Sequence, residues 1–328
     1  MRNSNIELCR IASIALVLLV HSAFAANGFP KELTASSLWL ICIESISIIG
    51  VNTFIFISGY FSIKLKPRTI YSLVFASAFY YCILTGFSLL AGEAFSLRNL
   101  MFISNSHYFI LDYLGLTLLS PILNKFCENI DKKTFLQTLL LLLIYQTYFG
   151  YFPGANNTEF DYGYSLMSFS IIYLIARYIK QYGMSLIIKK YSGTLYLIST
   201  LFMIGAACLF IKIGYANRIG LIYAYNNPLI IFSSICFFLY FEKQDIKENS
   251  FINHIAKSTL GILLFHASTA AEPTVWKFMK ETFRHLAASP SFLTFFKWGG
   301  VIIGIMSMAI LIDQVRIYLS DKIFKFIK

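Results

Sequence analysis

Long apolar segments dominate the chain, and short stretches rich in charged residues or in Pro, Gly and Asn separate them. A helix needs about 20 mostly apolar residues to cross the hydrocarbon core of a bilayer. Ten segments approach that length, and they cover residues 6–26, 37–62, 69–91, 107–124, 134–152, 162–179, 194–213, 226–241, 256–272 and 293–319. The pattern predicts an all-α fold, a polytopic membrane bundle of about ten transmembrane helices. Since no loop between segments exceeds about twenty residues, we expect a single domain over 1–328.

The composition agrees with this class of protein. Hydrophobic residues make up 57% of the 328 positions, aromatic residues 17% and charged residues 13%, which is typical of a polytopic membrane protein and excludes a soluble core. The six cysteines show no C-x-x-C spacing and lie mostly in apolar runs. We interpret them as small buried hydrophobic residues, and we predict no metal site.

The distribution of Lys and Arg predicts the orientation. If the N-terminus is cytoplasmic, 18 of the 27 Lys and Arg residues fall in inside segments and eight in outside segments. The positive-inside rule therefore predicts that both termini are cytoplasmic. The net charge of +11 has a membrane explanation, and we expect no nucleic-acid partner, because no basic stripe is interleaved with exposed aromatic residues.

Two ionisable residues, Arg10 and His21, interrupt the first apolar segment. They are eleven positions apart, almost three helical turns, so both project from one helix face at a separation of about 16 Å along the axis. Polar residues inside a membrane helix normally face the bundle interior or a wet cavity and mark a functional site. This pair is therefore the first candidate for catalysis.

A secretory signal peptide is the alternative interpretation of the first segment. Arg2 gives a short basic start, and Ala23-Phe24-Ala25 is similar to a small-residue cleavage site. However, Glu7, Arg10 and His21 interrupt the run, and the chain beyond it continues as membrane segments. We interpret the segment as a transmembrane helix.

A basic cluster follows the second segment. Ser58-Gly59 near the end of that segment allows another backbone to approach closely. Lys64, Lys66 and Arg68 then lie at the expected cytoplasmic surface. Such a cluster can bind anionic lipid headgroups or a phosphorylated cofactor, or it can serve only as a topology signal.

Further polar residues lie in later segments. Asp112 is about 7 to 8 Å inside the apparent outer boundary of the fourth segment, close enough to reach the headgroups. His266 is a second intramembrane imidazole, suited to an interhelical hydrogen bond or to catalysis. The outer loop 150–164 combines aromatic rings with Asn156, Asn157 and Glu159, a mixture that fits either sugar binding or an interfacial aromatic belt.

Taken in order, several elements resemble the acyltransferase-3 family of integral membrane acyltransferases over nearly the whole chain. The family's Arg-x10-His element is similar to Arg10 and His21, and its late helix, commonly ending in Tyr-Leu-x-His, is similar to 258–266, where Leu264 replaces the Tyr. The aromatic helix that often carries Tyr-Trp-Phe has Tyr108 in place of the Trp. The other similar elements are the Phe-x-x-(Ile/Leu)-Ser-Gly-Tyr motif at 54–60, the basic turn at 64–68, the Pro-x-Leu-Asn end of 107–124, 165–178 and 312–316.

The resemblance implies transfer of an acyl group, usually acetyl, from cytoplasmic acyl-CoA to a carbohydrate of a cell-surface or exported polysaccharide, or to a glycolipid. It also implies a multi-pass protein of a bacterial-type plasma membrane, with acyl-CoA as donor substrate and no permanently bound cofactor. Imidazole suits a base or an acyl relay near the attacking hydroxyl, and cations suit the charges of the donor. We therefore predict His21 and Arg10 as catalytic residues. The predicted donor-binding residues are Arg10, Lys64, Lys66 and Arg68, and the predicted substrate-binding residues are His266, Asp112, Tyr108 and Ser58.

Other membrane proteins provide the alternatives. A glycan-lipid flippase or transporter predicts internal repeats with paired broken helices, and we find no convincing repeat. A polysaccharide polymerase would more naturally carry a large outer loop, and none occurs. A non-enzymatic assembly subunit gives no reason for Arg10 and His21 to share a face.

Overall fold

The computed structural model describes residues 3–93, 108–151 and 160–324. These ranges form sixteen α-helices with short turns, 3-10 segments and a π-helical segment (Glu272–Trp276) between them, and they contain no strand. The helices are α1 (Ser4–Ser22), α2 (Phe24–Asn27), α3 (Ala35–Ser47), α4 (Gly50–Tyr60), α5 (Pro67–Leu90), α6 (Tyr108–Asn129), α7 (Lys132–Tyr151), α8 (Leu166–Tyr182), α9 (Leu186–Lys190), α10 (Ser192–Lys212), α11 (Ile219–Ile222), α12 (Pro228–Glu242), α13 (Ser250–Ile255), α14 (Thr259–Ala267), α15 (Lys277–Ala288) and α16 (Phe292–Ile323). The all-α class is confirmed.

Each of the ten predicted segments overlaps a helix or a pair of consecutive helices. Within the described ranges, six of them are long and apolar enough to cross a membrane, namely Ser4–Asn27, Ala35–Tyr60, Pro67–Leu90, Tyr108–Asn129, Ser192–Lys212 and Phe292–Ile323. Helix α12 is apolar but shorter. The structure thus supports a multi-pass membrane protein, whereas the count of ten crossings and the cytoplasmic position of the termini stay predictions.

Local sequence signals fix where several helices begin. The Asn3 side chain caps α1 by accepting a hydrogen bond from Asn5 N, at 3.3 Å. Helix α12 has Pro228 at its first turn, where the missing N–H costs no hydrogen bond. At the start of α16, Ser291 and Thr294 form a reciprocal capping box. These caps satisfy backbone N–H groups that have no partner within the helix.

Helix α1 lies in the middle of the bundle and packs against α3, α4, α12, α13 and α14. We call the end at which α1 begins the proximal face. There Asn5 Nδ2 donates to Gln244 O at 2.8 Å, and Ser4 Oγ donates to Asn253 Oδ1 at 3.1 Å. This central packing agrees with the interpretation of the first segment as a membrane helix.

The opposite end, which carries α2 and α15, is the distal face. Helix α15 was not among the predicted segments. Its apolar residues Met279, Phe283 and Ala287 recur every fourth position and are buried, whereas the rest of the helix is rich in charged and polar residues. Arg284 Nε holds α15 on the bundle by donating to Ala26 O at 2.7 Å.

Glycines allow α4 to pack closely between α1 and α8. A Cβ at Gly50 would lie 2.8 Å from the carbonyl oxygen of Ser13 in α1, and a Cβ at Gly59 would lie 2.6 Å from that of Tyr173 in α8. Any larger residue would force these helices apart. The Ser-Gly pair predicted to allow close backbone approach therefore does so.

Candidate active site

Two histidines from distant parts of the chain meet inside the bundle. His21 Nδ1, in the last turn of α1, is 3.0 Å from Nε2 of His266, in α14. His266 is 0% exposed, and its other ring nitrogen, Nδ1, contacts the carbonyl oxygen of Ile262 one turn earlier. Trp276 packs edge-on against the His21 ring, with 5.9 Å between ring centroids. The histidine pair is therefore enclosed by protein on several sides.

The hydrogen bonds determine where the protons lie in the neutral pair. A backbone carbonyl can only accept, so Nδ1 of His266 must carry the proton that points to Ile262 O. The unprotonated Nε2 of His266 then accepts from Nδ1–H of His21. In neutral His21 this leaves Nε2 unprotonated, so Nε2 is the nitrogen that can take up a proton.

A break between α1 and α2 fixes the end of the helix that carries His21. Trp298 Nε1 in α16 donates to Ser22 Oγ at 2.8 Å. Phe24 N, at the start of α2, donates to Glu44 Oε2 in α3 at 3.1 Å. Both partners are buried side chains from other helices, so the position of His21 depends on tertiary packing as well as on α1.

A buried ion pair in α16 supports α14, the helix of His266. Arg316 donates to both carboxylate oxygens of Asp313, at 2.6 and 2.9 Å, and Tyr80 OH in α5 donates to Asp313 Oδ1 at 3.0 Å. Gly261 packs directly against Asp313 and Tyr80, leaving no room for a Cβ. This contact sets how closely α14 approaches α16.

A cavity of about 190 Å³ extends from His21 toward the proximal face. Arg10 and His21 both line it, together with Ser58 and Tyr113, whose hydroxyl oxygens are 3.2 Å apart. We call it the proximal cavity. The rest of its wall is apolar, with side chains that include Val17, Phe54, Leu73, Phe109, Leu260 and Leu263.

A larger cavity of about 730 Å³ lies on the other side of the histidine pair, and we call it the distal cavity. His21 and His266 line it together with a group of tyrosines. Tyr164 packs edge-on against Tyr108 and Tyr225, with centroid distances of 4.5 and 5.0 Å. Further aromatic side chains of its wall are Phe24, Phe29, Tyr162, Tyr223 and Trp276.

The charged groups of the distal cavity differ in depth. Glu44 is only 6% exposed, whereas Glu272 and Arg218 are exposed side chains. In the part of the chain that the structure describes, no group of three His, Cys, Asp or Glu side chains is placed to hold a metal ion. The distal cavity therefore combines aromatic walls, a buried carboxylate and the histidine pair.

The structure brings together most of the predicted site residues. Arg10, His21 and Ser58 line the proximal cavity, and His21, His266 and Tyr108 line the distal cavity. His21 alone among the predicted residues lines both. His266, predicted as a substrate-binding residue, is also the direct hydrogen-bond partner of His21.

Four predicted residues lie elsewhere. Asp112 lines neither cavity, and the exposed side chains of Lys64, Lys66 and Arg68 lie at the proximal face. Arg68 Nη2 is 3.9 Å from Asp321 Oδ1, an exposed ion pair of the kind that contributes little to stability. The basic cluster therefore does not enter the cavity that holds Arg10.

The basic turn is nevertheless firmly anchored. Asn124, at the end of the Pro-x-Leu-Asn element, donates from Nδ2 to Ile63 O at 2.9 Å and accepts from Tyr173 OH at 2.7 Å. Tyr173 OH also accepts from Ile63 N at 3.0 Å. Two of the elements noted in the sequence therefore meet here and hold the turn.

Two rings of the predicted outer loop belong to the site. Tyr162 and Tyr164 line the distal cavity, so these two rings are placed where an acceptor could contact them. Asn156, Asn157 and Glu159 lie outside the described residues.

Sequence reasoning missed Glu44, Trp276 and Tyr225. Glu44 had a usable signal, because a carboxylate inside an apolar segment is unusual for the same reason as Arg10 and His21. Trp276 and Tyr225 had none, since each follows a break in the apolar pattern and reaches the site only through the fold.

The comparison with known proteins agrees with this geometry. A sequence model of the acyltransferase-3 family, described as an acyltransferase domain, matches residues 3–313. No curated protein and no solved structure matches the chain. The family match covers nearly the whole chain and includes both histidines and both cavities, and it sets the chain with acyltransferases rather than with flippases or polymerases. The protein therefore belongs to the acyltransferase-3 family and is a multi-pass membrane acyltransferase.

Proposed function

We propose that the protein transfers an acyl group, most simply acetyl, from acyl-CoA in the proximal cavity to a carbohydrate hydroxyl in the distal cavity. The observation that carries this proposal is that His21 lines both cavities. A donor and an acceptor that enter from opposite faces would meet at one imidazole. The acceptor would belong to a cell-surface or exported polysaccharide or to a glycolipid, and the protein to the plasma membrane of a bacterial-type cell.

The proximal cavity suits the donor. Its small volume and mostly apolar wall fit a slender pantetheine arm better than a sugar chain. Arg10 Nε is buried and has no hydrogen-bond partner among the described residues, so it can donate to an oxygen of the donor. The nucleotide phosphates would stay outside the cavity, where they would contact the exposed side chains of Lys64, Lys66 and Arg68.

The distal cavity suits the acceptor. Aromatic faces pack against the apolar C–H surfaces of sugar rings, while a few polar groups fix the orientation of the hydroxyls. The cavity is nearly four times as large as the proximal cavity, at about 730 Å³ against about 190 Å³, so it has room for more than one sugar residue.

The reaction follows from the proton positions in the histidine pair. Nε2 of His21 takes the proton of the acceptor hydroxyl, whose oxygen attacks the thioester carbonyl carbon. A C–O bond forms, the C–S bond breaks, and the CoA thiolate receives the proton from His21. His266 keeps His21 in the required tautomer by accepting its Nδ1–H. Ser58 Oγ donates its proton to Phe54 O at 3.0 Å, so Tyr113 OH is the hydroxyl that can turn into the cavity and stabilise the developing oxyanion.

Covalent relay is the alternative route for the same residue. His21 would first accept the acyl group on Nε2, and the acceptor hydroxyl would then remove it. Rapid quenching of purified protein after mixing with radiolabelled acetyl-CoA alone distinguishes the two routes. Label that stays on wild-type protein but not on His21→Gln indicates the relay, whereas direct transfer leaves no label.

The proposed orientation places the proximal face in the cytoplasm. Basic side chains cluster there, and Lys189 Nζ is paired with Glu242 Oε2 at 2.7 Å. We expect a single cysteine at Lys190, in an otherwise cysteine-free protein, to resist an impermeant thiol reagent in intact cells, while one at Lys277 on the distal face is labelled. The reverse pattern would contradict the orientation and the donor side with it.

Structural analysis of the surface glycan tests the activity itself. Cells that lack this protein should lose one ester from their glycan, and the wild-type gene should restore it. His21→Gln should not, although the variant reaches the membrane in normal amount. An unchanged ester pattern in the deletion strain would contradict the proposed acceptor class.

A further inference from the structure

A buried carboxylate lies in the distal cavity without a role in the steps above. Glu44 sits in the second half of α3, is 6% exposed and lines the cavity that also contains His21 and His266. One of its oxygens, Oε2, accepts the hydrogen bond from Phe24 N. No Lys or Arg within the described ranges forms an ion pair with it.

The contact with Phe24 does not explain why this residue is acidic. A neutral amide or hydroxyl oxygen accepts a backbone hydrogen bond as well, and a carboxylate inside a membrane bundle is costly without a cation beside it. A carboxyl group is useful where a ligand forms more than one hydrogen bond with it, because its two oxygens offer several acceptor sites. Glu44 is therefore suited to a ligand that donates several hydrogen bonds.

The neighbourhood of Glu44 narrows the chemistry of that ligand. Tyr164, Tyr223 and Tyr225 line the same cavity, and Trp276 packs against His21 at its base. Arg218 is the one Lys or Arg among the cavity-lining residues described, and it is exposed. The deep part of the cavity thus offers aromatic faces and a hydrogen-bond acceptor, while it lacks a cation to neutralise an acidic ligand.

We propose that Glu44 binds hydroxyl groups of an uncharged sugar residue of the acceptor and so orients the attacking hydroxyl toward Nε2 of His21. Vicinal hydroxyls supply the donors that the oxygens of Glu44 can accept, and no Lys or Arg among the described residues lies in the deep part of the cavity to pair with an acidic sugar. The inference rests on the proposed function, in which the distal cavity holds the acceptor. It adds a residue that determines acceptor specificity and a class of acceptor residue.

The test separates acceptor binding from the structural contact with Phe24. Glu44→Gln keeps an oxygen that can accept from Phe24 N but replaces the second oxygen by an NH2 group that cannot accept, whereas Glu44→Ala removes both oxygens. The matched control is Glu281→Gln, the same change at an exposed position of α15 outside both cavities. Membranes containing each variant are incubated with radiolabelled acetyl-CoA and with surface glycan isolated from cells that lack this protein.

We expect Glu44→Gln to raise the glycan concentration for half-maximal transfer by about 5- to 150-fold, the range for a buried polar group that loses its hydrogen-bond partner. The binding of acetyl-CoA and its slow hydrolysis without glycan should stay within about twofold of wild type, because the donor cavity and His21 are untouched. Glu281→Gln should behave as wild type throughout.

Three results would overturn the inference. Glu44→Gln could transfer as well as wild type, in which case Glu44 only holds the α1–α2 break. It could lose acetyl-CoA hydrolysis together with transfer, which would make Glu44 a positioning residue for His21. Structural analysis of the product could place the ester on a uronic or other acidic sugar. A wild-type protein that binds acetyl-CoA but never labels the glycan would instead contradict the proposed function.

Discussion

The proximal and distal cavities differ in how they are built, although they share His21. The proximal cavity is small, mostly apolar and formed by the sides of long helices, with Arg10 and His21 from a single helix. The distal cavity is larger, rich in aromatic rings and formed largely by turns and short helices between the long ones. Under the proposed function, the cavity walled by helices would hold the donor and the cavity walled largely by turns would hold the acceptor.

The largest expected effect comes from the residue that both cavities share. His21→Ala should lower transfer by about 100- to 10,000-fold, the usual contribution of an acid–base group, while acetyl-CoA binding and membrane abundance stay nearly normal. The measurement is transfer of radiolabelled acetyl to glycan in isolated membranes. His21→Gln is the control that keeps a polar side chain. Wild-type activity in either variant would show that the reaction does not need His21, although this residue lines both cavities.

The next effect should be confined to the proximal cavity. Arg10→Ala should weaken acetyl-CoA binding by about 5- to 150-fold, since it removes a cation beside the donor, and should leave the glycan concentration for half-maximal transfer unchanged. Titration of the purified protein with acetyl-CoA at low and high salt measures this. Arg68→Ala is the comparison variant. Normal acetyl-CoA binding by this variant would indicate that Arg68 is only a topology signal. If Arg10→Ala binds acetyl-CoA normally but transfers no acetyl group, Arg10 acts in the reaction itself rather than in donor binding.

A smaller effect should follow from the histidine that lines only the distal cavity. His266→Gln should lower the maximal rate by about tenfold, because its amide can accept from His21 Nδ1–H but holds the ring less rigidly. His266→Leu, which cannot accept, should be slower still. Equal rates for the two variants would show that the hydrogen bond of 3.0 Å does not orient His21.

The smallest effect should come from a substitution at a residue that lines neither cavity. Gly261→Ala should lower the free energy of unfolding by about 1 to 3 kcal/mol, since its Cβ has no room beside Asp313 and Tyr80, and should slow transfer by displacing α14. Gly205→Ala in α10 is the matched control, because a Cβ there meets nothing within 4 Å. Thermal unfolding in detergent compares them, and equal melting temperatures would contradict the close contact of α14 with α16.

The two cavities also differ in how far the sequence predicted them. For the proximal cavity, Arg10, His21 and Ser58 were all named from apolar segments that contain polar residues, and the structure places them around one space. For the distal cavity, His266 and Tyr108 were named, but Glu44 and Trp276 were not. Helical periodicity relates residues within one helix, whereas the distal wall is assembled from connections that have no period.

The basic cluster shows what the charge pattern of a sequence does not predict. Lys64, Lys66 and Arg68 were predicted both as a topology signal and as ligands of the donor, and the structure leaves them exposed outside the cavity. Long cationic side chains reach water easily, so their position along the chain says which face they occupy but not what they contact.

The sequence alone determined the all-α membrane class, the approximate positions of the apolar helices and the shared face of Arg10 and His21, because each follows from hydropathy and periodicity over neighbouring residues. Only the tertiary structure decided that His21 pairs with His266, 245 positions away, and that two cavities of different character meet at that pair. The physical reason is that close helix packing depends on side-chain shape at crossings such as Gly59 with Tyr173 and Gly261 with Asp313. No local pattern encodes which helices will cross.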